Sequence, residues 1–260
     1  MIKAIMFDLD GTLVQSEKLK AQSYAIAAQR LLGSSEPDAR AVEAYREIVG
    51  AERHVASKHV MERLELEPYL RQQMQELSAA PPEEALSKMR VAIYSDMVED
   101  PQVFRDNQWP HTVGLLLIAK EAFCQTALVT MSQRDEALRV IEALDLESTL
   151  DLILSREDVV QPKPDPEIYL LAAQKFGVPP SECLVLEDSP NGARAAVAAG
   201  TNVVAIATPF TAAGHLREQV APEAFVVTEP EKLLEVVQQR ILEHNRSVHG
   251  YDIPSNQQGA

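Results

Sequence analysis

Short apolar runs alternate with helical segments along most of this sequence of 260 residues, and this alternation constrains the fold more than any other feature. Each run is too short for a helix, which favours a buried strand. The runs are residues 2–7, 127–130, 152–154, 183–186 and 203–206, with a weaker one at 225–227. Helical segments follow at residues 134–144, 166–176, 190–199 and 230–243. Strands that alternate with helices predict an α/β fold with a doubly wound, Rossmann-like parallel sheet.

A long helical stretch interrupts this rhythm after the first predicted strand. No second apolar run appears until about Ala127, although a β-α-β unit needs only about 30 residues. Candidate helices in this interval are residues 17–32, 38–49, 52–64, 68–77 and 82–97. An insertion at this point lies over the carboxyl ends of the strands, where open α/β sheets bind ligands. We predict an α/β core of residues 1–14 and 99–245, with an all-helical cap of residues 15–98 as a lid.

The C-terminal segment differs from both predicted domains. Residues 246–260 are polar, lack periodicity and contain Pro254. Such a segment buries too little apolar surface to fold by itself. We expect a flexible tail there.

The composition narrows the possible partners. The formal net charge of −15 leaves no basic surface for nucleic acid or anionic lipid. An anionic small substrate would need local cations, because the field of the whole protein opposes its approach. No apolar run approaches the ~20 residues of a membrane-spanning helix. Cys124 and Cys183 lie in or beside apolar stretches, which suits buried thiols in a reducing compartment better than a disulfide framework. We therefore expect a cytoplasmic protein that acts on a small molecule, and the sequence is silent on its oligomeric state.

Two carboxylates mark the end of the first predicted strand. Asp8 and Asp10 stand two residues apart, and Gly11 after them permits a sharp turn. Close carboxylates in a crevice of low dielectric repel, and they stay ionised only when a cation or hydrogen-bond donors compensate. Mg²⁺ commonly takes one or two carboxylates together with a substrate phosphate. An ordinary Asp-Gly turn is the alternative interpretation of this segment.

Three later segments place polar groups at the same edge of the predicted sheet. Glu187 and Asp188 end a buried strand and precede a helix that starts at Pro190, so they either cap that helix or complete a metal site with Asp8. Thr130 ends another strand, and its hydroxyl can donate to a phosphoryl oxygen. Lys163 stands among three prolines, where a rigidly held cation suits stabilisation of a transferring phosphoryl group.

Taken together and in this order, these four segments resemble the signature of the haloacid dehalogenase-like superfamily of hydrolases, whose members are mostly phosphatases. The resemblance spans about residues 1–207, and the helical insertion resembles the cap of the subgroup related to β-phosphoglucomutase and phosphoglycolate phosphatase. It implies that Asp8 attacks phosphorus to form an aspartyl-phosphate, while Asp10 serves as acid and base. It also implies Mg²⁺ held by Asp8, the Asp10 backbone carbonyl and Asp188, with Glu187 a further candidate ligand.

The resemblance also suggests which residues hold the substrate. Thr130 and Lys163 are expected to bind the phosphoryl oxygens. Arg53 lies in a cap segment that resembles the phosphate-binding segment of β-phosphoglucomutase, and Lys20 stands where the mutase has a histidine. We predict an Mg²⁺-dependent phosphatase acting on a small phosphorylated metabolite. A β-phosphoglucomutase-like phosphomutase and a non-catalytic phosphate-binding module remain the alternatives.

Overall fold

The structure, a computed structural model, describes residues 1–249 and contains a six-stranded sheet in which every neighbouring pair of strands is parallel. The strands are β1 (Ala4–Phe7), β2 (Gln125–Val129), β3 (Leu152–Leu154), β4 (Cys183–Glu187), β5 (Asn202–Ile206) and β6 (Val226–Val227). Their order is β3-β2-β1-β4-β5-β6, so the chain winds from the centre first to one edge and then to the other. The predicted doubly wound parallel sheet is confirmed.

Helices lie in a cap after β1 and around the sheet. The cap contains α1 (Ser16–Leu32), α2 (Ala39–Arg46), α3 (Arg53–Arg63), α4 (Glu67–Gln73) and α5 (Pro82–Met97). The remaining helices are α6 (Gln102–Asp106), α7 (Pro110–Glu121), α8 (Arg134–Ala143), α9 (Glu167–Phe176), α10 (Pro190–Ala198), α11 (Ala212–Glu218) and α12 (Leu233–His249).

The central strand β1 separates two apolar layers because successive side chains of a strand point to opposite faces. Ile5 and Phe7 pack in the layer covered by α7, α8 and α12. Ala4 and Met6 pack in the opposite layer, against α9 and α10. Both faces of β1 are buried, which explains why its sequence is a continuous apolar run rather than an alternating one.

The cap has a core of its own. Tyr24, Val60, Leu70 and Leu86, from four different cap helices, are among its buried side chains. This confirms an all-helical insertion after the first strand, and residues 15–98 remain the proposed limits of the cap. Two backbone hydrogen bonds tie its entry and exit together, from Gln15 N to Asn107 O (2.8 Å) and from Trp109 N to Leu13 O (2.8 Å).

The elements differ from the sequence-based expectation mainly near the C-terminus. Helix α12 continues to His249, beyond the predicted end at residue 243, so residues 246–249 belong to a helix and not to the expected tail. The rest of the expected tail, residues 250–260, lies outside the described residues. The helices α6, α7 and α11 were not among the predicted helical segments. Among residues 1–249, no helix has the length and apolarity needed to span a bilayer.

Candidate active site

The carboxyl ends of β1, β2 and β4 meet beneath the cap and form the floor of a cavity of about 360 Å³. Strand β1 pairs with β2 and β4, with Phe7 opposite both Leu128 and Leu186, so the residues that follow these strands become neighbours. The cavity is lined by seven of the predicted site residues: Asp8, Asp10, Lys20, Arg53, Thr130, Lys163 and Asp188. The eighth, Glu187, is fully buried beneath the floor.

Lys163 joins the two strand-end carboxylates at the floor. Its Nζ donates to Asp8 Oδ1 (2.8 Å), to Glu187 Oε1 (2.5 Å) and to the Val129 carbonyl oxygen (2.9 Å). The ammonium also lies 4.9 Å from the centre of the Tyr169 ring. Although burial disfavours its charge, Asp8 and Glu187 hold the pKa of Lys163 above its usual range. Lys163 is therefore a cation fixed against Asp8 rather than a solvated loop residue.

Asp8 is buried and needs positive charge around it to stay ionised. Burial raises its pKa to about 8, repulsion from Glu187 and Asp10 adds to this rise, and Lys163 opposes it. A carboxylic acid with such a pKa is mostly protonated at neutral pH and is then a poor nucleophile. An additional cation beside Asp8 would favour the carboxylate form.

Glu187 and Asp188 have different surroundings although they are adjacent in sequence. Glu187 Oε1 accepts from Lys163 and from the Tyr169 hydroxyl (2.6 Å), and its Oε2 accepts from the Ser189 hydroxyl (3.2 Å). Asp188 Oδ2 is buried without a hydrogen-bond partner among the described residues. Burial, together with repulsion from neighbouring carboxylates, raises the pKa of Asp188 well above its usual range. Of these two carboxylates, Glu187 contacts Lys163, and Asp188 is the one without a cation within salt-bridge distance among the described residues.

The carboxylates fit a hard divalent cation. One oxygen from each of Asp8, Glu187 and Asp188 lies within 4.8 Å of the other two. Among the described residues, Lys163 is the one lysine or arginine within salt-bridge distance of any of these three acids. Three carboxylates, this ammonium and a divalent ion have formal charges that sum to zero. Gly11 leaves the necessary space, because a Cβ atom there would lie 2.1 Å from Asp188 Oδ2. The arrangement supports Asp8 and Asp188 as direct ligands, since both Glu187 oxygens already accept protein hydrogen bonds.

Asp10 is held differently from Asp8. Lys20 Nζ lies 2.6 Å from Asp10 Oδ1, and the hydroxyls of Ser16 and Ser132 donate to its two oxygens. Burial opposes ionisation of Asp10, but Lys20 and these hydroxyls outweigh it and lower the pKa. Asp10 is therefore ionised at neutral pH, in the form that can accept a proton.

Thr130 and Arg53 reach the cavity from opposite sides. Thr130, at the end of β2, is almost fully buried, and its Oγ1 accepts a hydrogen bond from Ser132 N (3.0 Å). Arg53 begins the cap helix α3 and forms an ion pair with Glu136 of α8 (2.8 Å). This pair crosses the boundary between the cap and the core, so Arg53 is not free in this structure.

Several residues in and around the cavity were not predicted from the sequence. Ser16 and Ser132 hold Asp10, and neither stands in a pattern that marks such a role. Glu17 is buried in the cavity wall; burial, then repulsion from Asp10, raises its pKa well above its usual range. An acid in the first turn of a helix is typical of a complement to the helix dipole, so the sequence gives no specific signal for this role of Glu17. Arg90, also buried in the wall, interrupts an apolar face of α5, and this was the available signal.

Comparisons with known proteins identify the family of this chain. The family model of haloacid dehalogenase-like hydrolases matches residues 2–200. The phosphorylated carbohydrates phosphatase of Thermotoga maritima is 28% identical over 199 residues, covering 76% of this chain and 82% of that protein. Protein CbbY of Rhodobacter capsulatus is 30% identical over 219 residues, covering 81% of this chain and 87% of that protein.

A solved structure adds evidence on the fold. The β-phosphoglucomutase of Clostridium difficile superposes with a TM-score of 0.69 at 20% identity, covering 95% of this chain and 99% of that one. At this identity the likeness concerns the fold alone. The family match covers most of the chain and includes all the strand ends that form the cavity floor. The chain therefore belongs to the haloacid dehalogenase-like hydrolases.

Proposed function

We propose that this protein is an Mg²⁺-dependent phosphatase that hydrolyses a small phosphate monoester through an aspartyl-phosphate on Asp8. The observation that carries the proposal is the floor of the cavity, where the buried Asp8 carboxylate contacts Lys163 and lies near Asp188, whose Oδ2 has no hydrogen-bond partner among the described residues. The phosphatase named among the relatives supports a phosphate ester as substrate.

In the first step, an Asp8 carboxylate oxygen attacks phosphorus and the bond from phosphorus to the leaving oxygen breaks. Lys163 and the Thr130 hydroxyl stand at the floor, where they would bind the phosphoryl oxygens. The leaving oxygen needs a proton, and Asp10 is the acid placed two residues after the nucleophile. Because Lys20, Ser16 and Ser132 favour ionised Asp10, loosening of these contacts on substrate binding would raise its pKa and allow it to carry that proton.

In the second step, water attacks the phosphorus of the aspartyl-phosphate, and the bond to the Asp8 oxygen breaks to release phosphate. Asp10 accepts the proton of this water, and the contacts that lower its pKa favour the ionised form required here. Two successive displacements at one carboxylate divide a difficult hydrolysis into two easier reactions.

Asp8 and Asp188 would hold Mg²⁺ with their side chains, while Glu187 fixes Lys163 from below. Bound Mg²⁺ supplies positive charge to the phosphoryl oxygens and neutralises the carboxylates. Titration calorimetry with Mg²⁺ tests these roles. Asp188→Asn should abolish binding, and Glu187→Gln should weaken it less. Tighter binding by Asp188→Asn than by Glu187→Gln would contradict the assignment.

Phosphate release from a panel of small phosphate esters, with and without Mg²⁺, tests the activity. The wild type should release phosphate only with the metal, Asp8→Asn should be inactive, and the exposed Asp135→Asn on α8 is the matched control. Full activity of Asp8→Asn would disprove the nucleophile. No activity of the wild type on any ester would disprove the proposed function and favour a phosphate-binding module.

The phosphomutase alternative is separable by its product. With β-glucose 1-phosphate as the substrate, a mutase would give glucose 6-phosphate and a phosphatase would give free phosphate. Lys20 holds Asp10 in this structure, at the position where the sequence departs from the mutase histidine. Predominant isomerisation would overturn the phosphatase proposal.

A further inference from the structure

Arg90 of the cap helix α5 lines the cavity and differs from the other cations there. The other lysine and arginine side chains of the cavity wall all have carboxylate partners: Lys20 with Asp10 (2.6 Å), Arg53 with Glu136 (2.8 Å), Arg156 with Glu52 (3.4 Å) and Lys163 with Asp8 (2.8 Å). Arg90 is only 6% exposed, and no side-chain hydrogen bond or ion pair links it to any residue in the described part of the chain.

Two tyrosine rings fix the Arg90 guanidinium. Its central carbon lies 5.4 Å from the centre of the Tyr24 ring and 5.7 Å from that of the Tyr94 ring. Such cation–π contacts satisfy the face of the guanidinium, whereas its five N–H donors point outward in its plane. The buried Nε donor has no acceptor among residues 1–249. The tyrosines therefore orient Arg90 and leave its hydrogen-bonding capacity unused.

A buried charge without an acceptor is unfavourable unless a partner arrives from outside the chain. The cavity is the route for such a partner, because Arg90 belongs to its wall. Asp8 lies on the core side of the cavity, and Arg90 lies on the cap side. A molecule whose phosphoryl group contacts Asp8 could therefore reach Arg90 with its other end.

We propose that Arg90 binds a second anionic group of the substrate, at the end away from the phosphoryl group that is transferred. The inference rests on the proposed function and makes its substrate class narrower: a small phosphate monoester that also carries a carboxylate or a second phosphate. A planar guanidinium can bind two oxygens of either group through parallel N–H donors. Arg53 and Arg156 suit this role less, because each would first have to leave its acidic partner.

Binding of non-hydrolysable phosphonates tests the inference on the full chain. The probes are alkylphosphonates of about two to six carbons whose far end is neutral, a carboxylate or a second phosphonate, and calorimetry with Mg²⁺ gives each Kd. At one chain length, the second anion should strengthen binding to the wild type about tenfold or more, as charge-assisted hydrogen bonds do. Comparison of the carboxylate and phosphonate ends shows which anion the site takes.

Variants of Arg90 identify the residue responsible. In Arg90→Gln the gain in affinity from the second anion should fall below about twofold, while the neutral-ended probe keeps its Kd. Arg90→Lys should retain part of this gain, because lysine keeps the charge but lacks the planar guanidinium. Arg71→Gln, on the exposed face of α4, is the control and should behave as wild type. The wild-type series and Arg90→Lys preserve the test if Arg90→Gln does not fold.

The inference fails if the second anion gives the wild type no advantage at any chain length, or if the advantage survives in Arg90→Gln. These results are independent of turnover. A protein that hydrolyses p-nitrophenyl phosphate but ignores the second anion would disprove the inference alone. A protein that prefers the doubly anionic probes but hydrolyses no ester would disprove only the proposed function.

Discussion

Replacement of Lys163 by Met should destabilise the metal-free protein strongly, because Lys163 is the only lysine or arginine within salt-bridge distance of Asp8 and Glu187 among the described residues. Its Nζ lies 2.8 Å from Asp8 Oδ1 and 2.5 Å from Glu187 Oε1. Between ionised groups at an effective dielectric constant of about 20, these separations correspond to gross attractions of about 7 kcal/mol for Glu187 and, once Asp8 is ionised above its pKa of about 8, about 6 kcal/mol for Asp8. Desolvation of three buried groups offsets most of this attraction. Loss of one partner from a buried pair typically destabilises by about 3–5 kcal/mol, and we expect Lys163→Met to fall in that range.

Urea unfolding in the presence of a chelator measures this loss. Lys175→Met, on the exposed side of α9, is the matched control and should change the free energy of unfolding by less than about 0.5 kcal/mol. The double variant Lys163→Met/Glu187→Gln should recover about 1–2 kcal/mol relative to Lys163→Met, because it also removes a stranded carboxylate. A loss below about 1 kcal/mol in Lys163→Met would refute the argument that this lysine compensates the buried acids.

Three further predictions concern pH and packing. Because the pKa of Asp8 rises from 3.8 to about 8 in the folded state, its contribution to stability is present below pH 3.8 and is lost as the pH rises through about 8. In chelator, the free energy of unfolding of the wild type relative to Asp8→Asn should therefore fall by about 3 kcal/mol from pH 6 to 9, and a constant difference would contradict this. Gly192→Ala places a Cβ atom 1.9 Å from Glu187 Oε1 and should lower the free energy of unfolding by about 1–3 kcal/mol. Gly114→Ala in α7 adds a Cβ atom to open space and should stabilise the protein slightly. Thermal unfolding compares the two variants, and equal effects would count against the clash at Gly192. The pKa of Asp151 is lowered, first by a hydrogen bond from the lysine at the end of α7. Because this pair is exposed and screened by solvent, Asp151→Asn should lower the free energy of unfolding by no more than about 1 kcal/mol at pH 7, and this loss should shrink as the pH falls below 3.8 in urea unfolding; a loss that does not change with pH would exclude the carboxylate charge as its cause.

The strand-end residues were predictable because their placement follows from chain-local rules. An apolar run closed by a turn predicts a buried strand, and parallel strands bring their carboxyl ends to one edge of the sheet. This is enough to place Asp8, Thr130 and Asp188 near one another. The register between β1 and β4 then makes Asp8 a neighbour of the Glu187–Asp188 pair.

Contacts between the cap and the core, and within the cap, were not predictable in the same way. Arg90 and Tyr24 lie on different cap helices, far apart in sequence, and their contact depends on how α1 and α5 pack. The spacing of Leu86 and Ile93 places Arg90 on an apolar face of α5, but only the packed structure shows that Arg90 lines the cavity. The pairing of Arg53 with Glu136 likewise depends on the position of the cap over the sheet.

The sequence by itself determined the sheet, the helical insertion and the set of polar residues at the strand ends, because periodicity and turn chemistry act over a few residues. Only the tertiary structure decided which charges are compensated. It paired Lys163 with Asp8 and Glu187, and it left Asp188 Oδ2 and the Arg90 Nε without a hydrogen-bond partner among the described residues. Burial and distance in three dimensions set these energies, and neither can be read from the spacing of residues along a chain.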